Sequence, residues 1–200
     1  MARPRTFDEA DVVVTARELF WQRGFDGASM SDLCEATGVA SQSLYRVFGS
    51  KHGLFVRTLE DYCDRQLAGL ARAQGADRPP WEWLMAAVTF EDGGRVDLGP
   101  DGCFLSSSST ARSRIDADVR AAAQRTYERI RELFAVMLER ARAAGDVRAD
   151  IDVDDAAMAL LTAMQGIEFL RKSGIQEERF EQAKRSTVAM LTAAYAGATA

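Results

Sequence analysis

The chain has 200 residues, 47% of them hydrophobic, and 25 Lys and Arg stand against 30 Asp and Glu for a formal net charge of −5. That length supplies one or two domains with a sizeable core, and the longest apolar run, 156–170, is interrupted by Thr162, Gln165 and Glu168 and falls short of the ~20 residues that span a bilayer. Three widely separated cysteines, Cys34, Cys63 and Cys103, argue against a disulfide framework and a zinc site, so a cytoplasmic protein with reduced thiols and no membrane segment is expected.

In chain order the elements read as helices throughout. Thr6 and Glu9 have capping-box spacing, after which Val13, Ala16 and Phe20 form one buried stripe on a helix over 8–23, closed at Gly24-Phe25. Ser29 and Asp32 open a short helix that runs to Thr37. Gly38 is placed to take the left-handed conformation that ends it, and Val39 plugs the turn. A second short helix then carries Leu44, Val47 and Phe48 at helical spacing. Two short helices across a glycine-containing turn make a helix-turn-helix, the second helix free to enter a DNA major groove. Ser50-Lys51 opens a joining helix that reaches about Ala73, and Pro79-Pro80 precede another near Trp81. The breaker-rich stretch 91–102 reads as a flexible connection. Tyr127, Ile130, Phe134, Met137 and Ala141 define a long helix up to Gly145, the acids over 150–155 serve the start of the next, and Phe180, Ala183, Thr187, Met190 and Ala194 give a last stripe. No useful strand alternation exists. The fold class is therefore all-α, a three-helix N-terminal helix-turn-helix head joined to a larger helical body.

The charge divides unevenly. Residues 1–58 hold seven basic and seven acidic side chains, so the acidic excess lies entirely beyond them. Between residues 36 and 59 there is no acid, whereas Arg46, Lys51 and Arg57 are present and Arg3 and Arg5 lie in the tail. Such a patch neutralises only a few phosphates per subunit, which calls for a dimer.

Taken together, the amphipathic first helix, Gly38-Val39 at the turn, Leu44-Tyr45 and Phe48 on the reading helix and Ser50-Lys51 after it resemble the DNA-binding half of the TetR/AcrR family of one-component regulators. The resemblance is close over about the first 60 residues and holds in outline beyond. It implies a DNA-binding domain over 1–50, a ligand-binding and dimerisation domain over 51–200, and no cofactor. The implied partners are a double-stranded DNA operator, a second copy of the chain and a small-molecule effector of unknown identity. On the reading helix Ser41, Gln42, Ser43 and Arg46 are expected near base edges, glutamine suiting adenine and arginine guanine. Tyr45 and Lys51 match positions that hold phosphates in family members. Ser29 and Ser31, on the preceding helix, complete the expected DNA-contacting set. Two departures stand out: Ala40 occurs where Ser or Thr is frequent, and Val47 where a histidine or another polar or aromatic residue is frequent. Val47 cannot donate to a phosphate. Leu33, Val39, Leu44 and Phe48 read as core of the head, and Cys34 as packing.

In the body, the resemblance pairs the 156–170 helix and the last helix with their two-fold mates as a four-helix bundle, to which Ala159, Ala163 and Gly166 allow close approach. Trp83, Cys103, Phe104, Phe134, Thr162, Gln165 and Phe169 are the residues expected around the effector. For Thr162 and Gln165 the alternative is a position facing the partner subunit. Cys103 opens a Gly-Cys-hydrophobic segment resembling that of relatives in which such a cysteine senses electrophiles; a small buried packing residue is the other reading, and the weightier one. An enzyme is the competing class, but His52 is the sole histidine and neither a P-loop, a dinucleotide fingerprint nor a metal-ligand cluster occurs.

Overall fold

In the computed structural model, which describes residues 7–74, 78–91 and 102–197, nine helices make up the fold among the described residues. They are α1 (Glu9–Gly27), α2 (Met30–Thr37), α3 (Ser41–Phe48), α4 (Lys51–Ala73), α5 (Pro80–Thr89), α6 (Phe104–Arg112), α7 (Ala117–Ala144), α8 (Val153–Lys172) and α9 (Glu177–Tyr195). The all-α expectation holds, and the only bridge pairing between described residues is Val147 with Ala196. Much of the breaker-rich stretch 91–102 lies outside the described residues.

Local chemistry sets the ends of the first three helices. Asp8 caps α1, its carboxylate accepting the Ala10 N–H at 2.8 Å. Thr6 itself lies outside the described residues. Gly24 breaks the helical path of α1 with φ 70° and ψ 171°. Ser29 and Asp32 form the expected reciprocal box, and Gly38 ends α2 at φ 67°. The Asp32 carboxyl sits below the usual carboxylate range because the Ser29 hydroxyl and the Ser29 N–H both donate to it, with Arg23 nearby.

Two compact units result. One holds Met1–Asp64 with Phe104–Ala123, the other Arg65–Cys103 with Gln124–Ala200, so α4 and α7 each contain a unit boundary. The division differs from a cut at residue 50, because the α6 segment belongs with the N-terminal helices. Phe104 packs among Trp21, Phe55 and Tyr62, with ring centroids 5.6 to 5.9 Å away. Phe20, Phe25 and Phe55 continue this aromatic core, and Leu33, Leu44, Leu54 and Leu59 are fully buried around it.

The second unit is built on Trp83, Leu84, Val88, Phe134, Leu138, Leu160, Met164 and Leu191. Its α9 carries apolar residues on two sides. The side of α9 that packs inward carries Val188, Leu191 and Tyr195, whereas Met190, from the expected stripe, is 61% exposed and Ala194 is exposed too. α9 thus carries two apolar stripes, of which the one with Val188, Leu191 and Tyr195 packs on the core of the second unit. On α8 Met158 and Phe169 are likewise exposed, opposite the buried Ala156, Leu160, Met164 and Ile167.

Candidate nucleic-acid interface

The α2–α3 pair is seated by its apolar side and leaves a polar side outward. Leu33 and Leu44 are buried, Val39 fills the turn between them, and Phe48 is half-buried. Ser41, Gln42, Tyr45 and Arg46 are exposed along α3, and Ser43 is half-buried. None of these five side chains has a hydrogen-bond or ion-pair partner among the described residues. Ser31 is exposed in the same condition on α2. Unengaged donors and acceptors on an exposed helix are what base edges and phosphates require. Six of the eight expected DNA-contacting residues thus have side chains unengaged among the described residues.

The other two are already engaged inside the head. Ser29 accepts the Asp32 N–H at 3.1 Å, and its hydroxyl donates to the Asp32 carboxylate. Lys51, expected on a phosphate, instead directs its ammonium at the end of α1: Nζ donates to the carbonyls of Phe25 at 2.8 Å and Ala28 at 2.9 Å, and lies 4.3 Å from the centre of the Phe25 ring. A lysine on orphan carbonyls at a helix end satisfies groups that would otherwise lack a partner. Its geometry is that of a brace between α1 and α4. Lys51→Ala should thus lower stability by about 1–3 kcal/mol, the cost of leaving such acceptors unpaired, and thermal unfolding would read it as a fall in Tm. An unchanged Tm, together with a uniform loss of affinity for all DNA and a flatter salt slope, would return Lys51 to the phosphate role.

Nothing local in the sequence signals what surrounds this brace. The Arg112 guanidinium lies 4.2 Å from the centre of the Phe25 ring and donates to Asp26 at 3.0 Å. His52 Nε2 is 3.0 Å from Asp116 Oδ2, which Arg112 Nε also approaches at 3.4 Å. Asp116 Oδ1 accepts the N–H groups of Asp118 and Val119 at the start of α7. Burial pushes the Asp116 carboxyl up, but the Val119 N–H, His52 and Arg112 outweigh it and hold it below its ordinary range. The end of α1, the start of α4 and the α6–α7 corner are in this way tied within the first unit. His52 serves here as a structural hydrogen-bonding partner of Asp116.

The residues expected around an effector stand in both units. Trp83 and Phe134 meet edge to face in the core of the second unit, centroids 6.2 Å apart. Phe104 belongs to the first unit. Thr162 and Gln165 line an open groove of about 800 Å³ between α7 and α8, beside Tyr127 and Met158, and the Thr162 hydroxyl donates to the Met158 carbonyl at 2.9 Å. Phe169 is 70% exposed. Cys103 is only 3% exposed, and its N–H donates to the buried carboxylate of Glu168 at 2.5 Å. A second cavity of about 570 Å³ lies between α5 and α9, with Trp81, Met85 and Val188 on its walls.

A helix-turn-helix whose second helix exposes unengaged polar side chains, carried on an all-helical body, defines a DNA-binding transcriptional regulator. Residues 12–58 match the family model for bacterial regulatory proteins, tetR family, and residues 88–187 match the tetracyclin repressor-like, C-terminal domain. The chain belongs to the TetR family, whose members are transcriptional regulators, not enzymes. It is similar to the HTH-type transcriptional repressor ComR of Escherichia coli (strain K12), 27% identical over 194 residues that cover 93% of this chain and 90% of ComR. Among solved structures it resembles a TetR family transcriptional regulator from Cytophaga hutchinsonii, with a TM-score of 0.83 at 17% identity over 96% of this chain and 95% of that one. It also resembles a cysteine mutant of the TetR family regulator CifR complexed with 26bp double-strand operator DNA, with a TM-score of 0.75 at 28% identity over 94% of this chain and 98% of CifR. No helix among the described residues is long and apolar enough to cross a membrane.

Proposed function

We propose that this chain is a sequence-specific repressor that binds a DNA operator as a homodimer in the cytoplasm and is released from it by a small-molecule effector. The observation that carries the reading is the α3 surface: Ser41, Gln42, Ser43, Tyr45 and Arg46 without side-chain partners among the described residues, inside a stretch that contains no acid between residues 36 and 59. Base-edge contacts fall to Ser41, Gln42, Ser43 and Arg46, and phosphate contacts to Tyr45 and Ser31. The repressor named ComR and the operator complex of CifR support the sign and the ligand.

The dimer reading rests on α8 and α9. Met158, Phe169 and Met190 are large apolar side chains at 49%, 70% and 61% exposure, and Gly166 between the first two leaves open space where a side chain would stand. A second copy of the chain covers such a face as a two-fold interface. Two heads held by that interface address half-sites about 34–36 Å apart or a multiple of it, so an effector that prefers a body conformation with another head spacing weakens DNA binding. The helix α4, which begins at Lys51 in one unit and ends at Ala73 in the other, is the lever in this scheme.

Light scattering together with fluorescence anisotropy on the DNA upstream of the chain's own gene tests the reading. The expected result is a dimer mass at micromolar concentration and operator binding that weakens steeply with salt. A monomer mass with equal affinity for the upstream and random DNA would overturn it.

A further inference from the structure

We infer that Val47 reads a thymine through its 5-methyl group, a refinement that rests on the operator-binding reading of α3. The periodicity of the sequence grouped Val47 with Leu44 and Phe48, the residues that seat α3. The structure separates them: Leu44 is 1% exposed, whereas Val47 is 36% exposed. Val47 lies one turn beyond Ser43 and next to Arg46, so it borders the same outward surface, and the other exposed side chains there, Ser41, Gln42, Tyr45 and Arg46, are all polar.

A lone exposed apolar residue is ordinary on a protein surface. Two features set this one apart. It occupies an eight-residue helix whose exposed side chains are otherwise hydrogen-bonding groups, and β-branched valine is a weaker helix former than the polar residues that suit such a position. The surroundings also select the occupant. With no acid between residues 36 and 59, and with Arg46 and Arg57 exposed, this surface favours a polyanion. Within a major groove, the apolar group that bases present is the thymine C5-methyl, since guanine, cytosine and adenine offer donors and acceptors and the backbone offers charged oxygens. Valine donates to none of these. Its side chain is short and nearly fixed in one rotamer on a helix, which suits a contact with a methyl group at a defined position.

The inference predicts methyl-dependent affinity. The probe is a site enriched from random duplex DNA by the wild-type protein, resynthesised with each thymine of the half-site replaced in turn by uracil, which lacks only the methyl. Wild-type affinity should fall roughly three- to tenfold at one thymine position per half-site, the effect of losing a buried methyl contact. Val47→Ala, an exposed change that leaves the seat of α3 intact, should bind the thymine site about as weakly as wild type binds the uracil site and be indifferent to that uracil. Enrichment of a specific site with no uracil sensitivity at any position, or sensitivity of wild-type size in Val47→Ala, would overturn the role of Val47 while leaving operator binding in place. Failure to enrich any site would remove both readings together.

Discussion

Arg46→Ala should weaken operator binding by roughly 5- to 150-fold per half-site contact, the discrimination that one good bidentate base contact supplies, and Gln42→Ala should follow in the same direction. Both side chains are exposed on α3 and engage no partner among the described residues, so neither change opens a cavity or strands a partner there. The loss measured is therefore a loss at the DNA and not of folding. The two variants differ in a way that salt reveals. Gln42 is neutral, and its removal should relax sequence preference while leaving the slope of affinity against salt unchanged; removing Arg46 should reduce that slope as well, because a cation near the phosphates is gone. Anisotropy on operator and random duplexes over a salt series separates these effects. Equal losses on the two duplexes for both variants would show that α3 positions the head and reads nothing.

How much of this surface was legible in the sequence follows from how far apart its determinants lie. Ser29 and Asp32 stand three residues apart, and Gly38 acts on its own backbone, so the start and end of α2 could be read directly. The outward side chains of α3 could be read for the same reason: one eight-residue helix with a single buried leucine has few ways to turn. Lys51 is the contrary case. Its two acceptors are 26 and 23 residues away, and nothing local distinguishes an ammonium that braces α1 from one that grips a phosphate. The same holds for Asp116, which meets His52 across 64 residues. On α9 periodicity found an apolar stripe, but two such stripes satisfy the same period, and which of them faces Trp83 and Phe134 is decided by packing. The effector set was not legible for a related cause. Aromatic and small polar residues on helices are equally suited to core, groove and partner face, and residue type alone does not place them.

Glu168 is the clearest residue that sequence reading passed over, since it registered only as an interruption of an apolar run. In the second unit its side chain is 1% exposed, and its carboxylate accepts the Cys103 N–H and two N–H groups of Arg171, Nε and Nη2 at 3.2 Å each. The approach is close. A Cβ on Gly102 would come within 2.8 Å of Glu168 Oε1, and Gly102 has φ 83°, so glycine is required there both for space and for backbone conformation. Glu168→Ala should therefore cost about 2–5 kcal/mol, because it leaves a buried amide and a partly buried guanidinium without their shared acceptor. For a chain of this length that corresponds to a drop in Tm of roughly 5–15 °C. Glu168→Gln keeps a carbonyl oxygen for the Cys103 N–H and loses the charge facing Arg171, so its loss should be smaller than that of alanine. Thermal unfolding of the two variants decides between an anchoring carboxylate and a merely tolerated one: an alanine variant as stable as wild type, or a glutamine variant less stable than alanine, would show that the Cys103 amide does not depend on this oxygen. Because the anchor lies far along the chain from α3, operator affinity measured well below the melting temperature should be unchanged in Glu168→Gln. A loss there without a loss of stability would mean that the segment around Cys103 is coupled to the reading heads.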